Sequence, residues 1–133
     1  MLKTKIAVFV SGGGTNFEAL INAQENGKIP HGEIVLMVSS SKTAYALKRA
    51  ENHGIKSVVC SKKELGSQES FEEEILKNLE ENDIQLIVLA GFMSILSKEF
   101  TKKYENRIIN IHPSLIPSFC GEASMGFMFT KQL

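Results

Sequence analysis

The sequence has little of what marks several large classes of protein. Its 15 basic and 15 acidic residues cancel, so no basic face for nucleic acid or for an anionic membrane is indicated. No apolar run approaches the roughly 20 residues of a membrane-spanning helix, and the start Lys3-Thr4-Lys5 predicts no signal peptide. The two cysteines, Cys60 and Cys120, match neither a disulfide framework nor a metal-ligand spacing. We therefore expect a single cytoplasmic domain of 133 residues without metal, nucleic-acid or membrane partners.

Strand-like and helix-like segments alternate along the chain. Apolar runs predict strands, and apolar residues at helical spacing predict the helices between them. This alternation predicts an α/β fold, a Rossmann-like parallel sheet with helices on both faces. The predicted strands cover residues 6–10, 33–38, 57–60, 84–90 and 108–111, and the predicted helices cover 15–26, 43–53 and a segment that begins at Ser70.

Three polar features are interpreted as structural and not functional. Ser70 and Glu73 have the spacing of a capping box at the start of the third helix. The acidic run 72–74 is interpreted as the solvated face of that helix. His31 and His53 lie at loop or helix ends and are expected to face solvent.

A glycine-rich loop, Ser-Gly-Gly-Gly-Thr-Asn at 11–16, follows the first strand. Glycines let the backbone approach a ligand closely, and the N–H groups at the start of the next helix form an anion site. Thr15 or Asn16 is expected to cap that helix. Phe17 stands where a dinucleotide fingerprint needs its third glycine. Taken alone, the three glycines are equally compatible with a tight turn.

Polar residues also stand at the end of the strand 108–111. Asn110 and His112 are two residues apart, so they share one side of the strand, and Pro113 ends it. Ligands of parallel sheets bind at the carboxyl ends of the strands. A histidine in this place could equally end a strand with its ring bonded to a carbonyl group.

Two segments resemble the folate-dependent formyltransferases. Asn-Ile-His-Pro-Ser-Leu-Ile-Pro at 110–117 is similar to the signature of that family, and Ala-Gly-Phe-Met-Ser-Ile-Leu-Ser at 90–97 is similar to a folate-contacting loop. The resemblance runs from about Lys5 to Gly121. It implies transfer of a formyl group from the co-substrate 10-formyltetrahydrofolate to glycinamide ribonucleotide in purine synthesis. The alternatives are a formyltransferase acting on methionyl-tRNA and a non-catalytic module that binds a nucleotide phosphate.

The resemblance also implies which residues act. Asn110 and His112 would be catalytic, and other residues would bind the two substrates. Ser94 replaces a basic residue of many relatives, and Gln68 replaces a frequent arginine. The phosphate would be bound by Gly14, Thr15 and Asn16, and the folate by Gln68, Met93, Ser94, Ile95, Leu96 and Asn110.

The end of the chain departs from the family. In the family a catalytic aspartate follows the histidine motif, whereas the only aspartate here, Asp83, precedes a strand at the opposite edge of the sheet. Residues 123–133 resemble no part of the family and predict neither helix nor strand. We therefore expect a formyltransferase domain at 1–121, an aberrant tail at 122–133, and a C-terminally truncated enzyme with little activity.

The tail is predicted to be a frame-shifted reading of a normal gene. Reading the codons of 122–133 from their third positions permits Gly-Phe-Tyr-Gly-Leu-His-Val-His-Lys-Ala-Ala, in which the second glycine and the valine are forced by the methionine codons. This peptide resembles the continuation of the family. Resequencing should reveal a one-nucleotide insertion or deletion near the Glu122 codon. A locus in which neither other frame continues into such a segment and a later aspartate would exclude this explanation and leave a divergent terminus or a cloning artefact.

Overall fold

The computed structural model describes residues 3–113 and 127–131 of the chain. Its elements follow the order of an α/β domain. The strands are β1 (Thr4–Val10), β2 (Gly32–Ser39), β3 (Lys56–Val59), β4 (Leu86–Ala90), β5 (Ile108–Pro113) and β6 (Phe127–Lys131). The helices are α1 (Thr15–Glu25), α2 (Ala46–Asn52), α3 (Lys62–Leu65), α4 (Gln68–Glu81) and α5 (Lys98–Lys103).

The six strands form one sheet in the order β3-β2-β1-β4-β5-β6. Strands β1 to β5 are parallel, which confirms the predicted Rossmann-like sheet, and β6 runs antiparallel to β5 at the edge. Strand order reverses between β1 and β4. The crevice outside the carboxyl ends of these two strands is therefore where a sheet of this type binds ligands.

The helices cover both faces of the sheet, as predicted. On one face, Phe17 and Ile21 of α1 pack with Ala46 of α2 against the sheet. On the other, Phe71 of α4 and Phe100 of α5 pack against alternate residues of the same strands. Central strands buried on both faces explain why their sequences are nearly continuous apolar runs.

Strand β6 contradicts the prediction that residues 123–133 contain no strand. Its backbone pairs with β5, from Ile109 opposite Lys131 to Pro113 opposite Phe127. A strand at a sheet edge is stabilised by ladder hydrogen bonds to its neighbour, so it needs no alternating pattern of its own. The rest of the predicted tail, residues 122–126 and 132–133, lies outside the described residues.

Helix α4 begins earlier than the sequence predicts. Its N-cap is Ser67, whose hydroxyl oxygen accepts the Ser70 N–H at 3.1 Å. Ser70 is thus the third helical residue and not the cap. Both serines satisfy the local preference for a cap, and the sequence pattern alone did not distinguish them.

Candidate active site

Two loops meet at the crevice between β1 and β4. The first contains the glycines that follow β1, and the second is the segment 91–97 that follows β4. Ser11 joins them, because its hydroxyl oxygen accepts the Met93 N–H at 2.7 Å and lies 2.6 Å from the hydroxyl oxygen of Ser40. The candidate phosphate loop and the candidate folate loop are therefore in direct contact, and their roles stay predictions.

Gly14 places the glycine loop against helix α2. Its φ is +80°, and a Cβ added there would lie 2.7 Å from the Cβ of Ala46. Gly12 and Gly13, by contrast, have open space around their missing side chains. Gly14 thus serves the fold, while its two neighbours leave the approach to the backbone clear for a ligand.

The N-terminus of α1 faces this open space. Gly14 is the N-cap residue and has no side-chain cap, so the expectation that Thr15 or Asn16 caps the helix is wrong. The intrahelical ladder begins with the bond from Glu18 N–H to the Gly14 oxygen, 2.8 Å long. The N–H groups of residues 15–17 precede that bond and have no hydrogen-bond partner among residues 3–113 and 127–131, so they are suited to hold an anion.

Arg49 of α2 ties the glycine loop to the helix layer. Its Nε donates to the carbonyl oxygen of Gly13 at 2.7 Å, and its guanidinium lies 5.0 Å from the centre of the Tyr45 ring. Glu18 of α1 lies 3.4 Å from the same guanidinium and accepts a hydrogen bond from His53, with 2.8 Å between Oε2 and Nε2. His53 is therefore not the solvent-facing residue that the sequence predicted, since tertiary partners from α1 hold its ring.

The His53–Glu18 pair predicts a pH-dependent stability. The hydrogen bond to Glu18 raises the pKa of His53 in the folded chain by more than burial lowers it, and the charges of Glu18 and Glu25 raise it further. The stabilisation is complete below the unfolded pKa of about 6.5 and is lost as pH rises through the folded value. We expect His53→Gln to lower the free energy of unfolding by about 0.5 kcal/mol at pH 5.5 and by much less at pH 8.5, as measured by urea unfolding. His31→Gln, at an exposed histidine, is the control, and equal losses at both pH values would contradict the assignment.

The segment 91–97 presents apolar side chains to solvent. Met93 and Ile95 are each 81% exposed, while Phe92 and Leu96 turn inward and pack against the core. The Phe92 ring meets Phe9 edge-on at 5.2 Å. Apolar side chains that lie together on a surface are typical of a ligand-binding or protein-binding site.

Gln68 contacts this segment from helix α4. Its Nε2 donates to the carbonyl oxygen of Ile95 at 2.9 Å. Ser94 is half-buried between the two exposed residues. The structure thus brings together the five residues that the resemblance implies for folate outside β5.

Asn110 is the third of the six residues of β5, which extends to Pro113, beyond the end at residue 111 that the sequence predicts. It is half-buried and pairs in register with Leu89 of β4, one residue before β4 ends at Ala90. The backbone of His112 continues the strand two residues later, and the position of its imidazole lies outside what the structure describes. Asn110 thereby lies level with the carboxyl end of β4, and its role in catalysis stays a prediction.

Other candidate groups are absent from the site or far from it. Asp83 lies before β4, at the amino ends of the strands and thus at the opposite end of the sheet from the crevice. Its side chain is 79% exposed, and its carboxylate lies 3.8 Å from the Lys5 ammonium. Burial raises the pKa of Cys60 to about 12, so this thiol stays protonated.

Within residues 3–113 and 127–131, no three histidine, cysteine, aspartate or glutamate side chains form a group that could hold a metal ion. In the same part of the chain no helix has the length and apolarity to cross a membrane.

Comparison with known proteins identifies the family of the chain. The formyl transferase family model matches residues 4–131. The chain is 49% identical over 119 residues to the trifunctional purine biosynthetic protein adenosine-3 of Gallus gallus, which covers 90% of this chain and 12% of that protein. It is 39% identical over 117 residues to the phosphoribosylglycinamide formyltransferase of Haemophilus influenzae, covering 88% of this chain and 55% of the relative. The chain belongs to the formyl transferase family.

Solved structures agree with this family. The phosphoribosylglycinamide formyltransferase of Brucella melitensis superposes with a TM-score of 0.79 at 42% identity over 88% of this chain and 60% of its own. Glycinamide ribonucleotide transformylase 1 of Geobacillus kaustophilus gives 0.79 at 38% identity over 93% of this chain and 65% of its own. The chain thus spans about half to two thirds of these single-enzyme relatives.

Proposed function

We propose that this chain carries the substrate-binding half of an enzyme that transfers a formyl group from 10-formyltetrahydrofolate to glycinamide ribonucleotide. The observation that carries the proposal is the junction of two loops at the switch point of the sheet, bridged by the Ser11–Met93 hydrogen bond. One loop offers free N–H groups to a phosphate, and the other offers exposed apolar side chains to a pterin. Relatives named for this activity support it, with 39% identity over 88% of this chain for the one from Haemophilus influenzae and 42% identity with a TM-score of 0.79 for the one from Brucella melitensis.

The glycine loop and the start of α1 would hold the ribonucleotide. Backbone N–H groups at a helix N-terminus and the positive end of the helix dipole favour a phosphate. Gly14, Thr15 and Asn16 are the residues assigned to this contact. The bond from Arg49 to the Gly13 oxygen holds the loop in place from behind.

The folate would lie against Met93, Ser94, Ile95 and Leu96, with Gln68 and Asn110 at its edges. In the reaction the ribonucleotide amine forms a bond to the formyl carbon, and the carbonyl oxygen gains negative charge. The Asn110 amide and the His112 imidazole are the donors assigned to that oxygen. Collapse of the tetrahedral centre breaks the bond between the formyl carbon and the folate nitrogen, and the proton lost by the amine passes to that nitrogen.

A non-catalytic phosphate-binding module is the second candidate. It is favoured by the position of Asp83, which is far from the crevice and cannot supply the carboxylate that family members use. A methionyl-tRNA formyltransferase is less favoured, because charges are balanced across the chain. The boundary between a domain at 1–121 and a frame-shifted tail at 122–133 remains part of the proposal, as does a cytoplasmic location.

Calorimetric titration separates these functions. The purified chain should bind glycinamide ribonucleotide and, in a separate titration, a folate analogue that lacks a transferable formyl group. Binding of the ribonucleotide alone would indicate the phosphate-binding module. Binding of neither ligand by the folded chain would contradict the proposed function.

A further inference from the structure

The Glu72 carboxylate is buried beside the segment 93–97. It belongs to the acidic run that the sequence interpretation assigned to solvent, and for this residue the interpretation is wrong, because Glu72 is only 9% exposed. Glu73, the next residue of α4, is exposed. Burial of one member of the run indicates a specific task, since a charge leaves water only where hydrogen bonds replace its hydration.

Three hydrogen bonds converge on this carboxylate. Oε2 accepts the Ser97 N–H at 2.6 Å and a Gln68 Nε2 hydrogen at 2.7 Å, and Oε1 accepts the Ser97 hydroxyl at 2.6 Å. The second hydrogen of Gln68 Nε2 goes to the Ile95 carbonyl oxygen. Glu72 therefore fixes one end of the segment directly and its middle through Gln68.

Ser97 makes this attachment stiff. Its hydroxyl oxygen also accepts the Phe100 N–H at 3.1 Å, so the same side chain caps α5. Phe100 is buried in the core between the sheet and Tyr104. The segment is thereby tied to two helices at once, although Met93 and Ile95 themselves make little contact with the core.

We propose that Glu72 is a positioning residue of the candidate folate loop, residues 93–97. Its carboxylate holds the backbone of residues 95–97 and thereby keeps Met93 and Ile95 in the positions where they would contact the ligand. The identity of that ligand, the pterin of a folate, rests on the proposed function. The attachment itself does not, because it is built from hydrogen bonds within the chain.

Glu72→Gln tests the attachment without any ligand. The substitution keeps size and shape but replaces one acceptor oxygen by an amide donor, which then faces other donors. Amide hydrogen exchange should become at least about tenfold faster at Ser97, while amides of β1 keep their rates. Glu73→Gln, which changes the same charge at an exposed neighbour, should leave both unchanged.

Two results of the exchange experiment would overturn the proposal. One is an unchanged rate at Ser97 in Glu72→Gln. The other is a uniform acceleration that includes β1, which would mean that Glu72 supports general stability and not this segment. If Glu72→Gln does not fold, Gln68→Ala breaks only the contacts of the half-buried Gln68, and it should accelerate exchange within 95–97 by a few-fold; no change there would equally overturn the proposal.

Titration with the folate analogue then links the attachment to binding. Affinity should fall about tenfold in Glu72→Gln, stay unchanged in Glu73→Gln, and be unaltered for glycinamide ribonucleotide in both variants. Equal folate affinity in all three proteins, with Ser97 exchange accelerated, would overturn the role in ligand binding. If the unmodified chain binds no folate while the exchange result holds, the proposed function fails and the attachment stands.

Discussion

The 133-residue chain is expected to transfer formyl groups at least about a hundredfold more slowly than the Haemophilus influenzae relative under the same conditions. The reason is chemical. An amine that attacks a formyl carbon must lose a proton, and family members supply a carboxylate for this transfer. The only aspartate of the chain, Asp83, lies at the amino ends of the strands, away from the crevice at their carboxyl ends, and pairs with Lys5.

A steady-state assay with both substrates at saturating concentration measures this difference in kcat. The relative, of which the aligned part of this chain covers 55%, is the reference enzyme. Saturation matters because it separates a lost catalytic group from weak binding. Turnover by the purified chain within a few-fold of the relative would show that the proton has another acceptor and would refute the prediction.

Replacement of Gly14 by alanine is expected to destabilise the chain by about 3 kcal/mol. A left-handed backbone costs a residue with a Cβ roughly 1–2 kcal/mol, and overpacking costs roughly 1–3 kcal/mol more. Both apply here, because φ is +80° and the new methyl group would lie 2.7 Å from the Cβ of Ala46. Displacement of the loop should also weaken ribonucleotide binding at least about tenfold.

Gly13→Ala is the matched control. Gly13 has open space where its Cβ would stand and does not belong to the residues with positive φ. The free energy of unfolding, measured with urea, should change by less than about 0.5 kcal/mol in this variant. Equal destabilisation by the two substitutions would mean that the contact between Gly14 and α2 does not hold the loop.

Much of the fold follows from local sequence. The apolar runs that end at Val10 and Ala90 predict central strands, and the glycine loop between a strand and a helix predicts an anion site. These features can be predicted because consecutive residues determine both the burial of a strand and the conformation of a glycine loop. The pairing of β6 with β5 was missed because it depends on a partner strand that is distant in sequence.

The contacts that organise the site could not be predicted in the same way. Glu72 and His53 both looked solvent-facing, since one lies in an acidic run and the other at a helix end. Their burial depends on Ser97 and Glu18, which lie 25 and 35 residues away. A polar residue on a helix reveals such a role only when its tertiary partner is known, so sequence reasoning located the two loops and missed what holds them.

The most direct test of the central claim is turnover by a chimera. Residues 1–121 would be joined, at the aligned position, to the remaining C-terminal part of the Haemophilus influenzae relative. If this chain carries the ribonucleotide loop, the folate loop and the Asn110–His112 pair of a formyltransferase, the chimera should transfer formyl groups to glycinamide ribonucleotide, and His112→Ala should abolish that activity. A folded chimera that shows no transfer, or transfer that survives His112→Ala, would contradict the account.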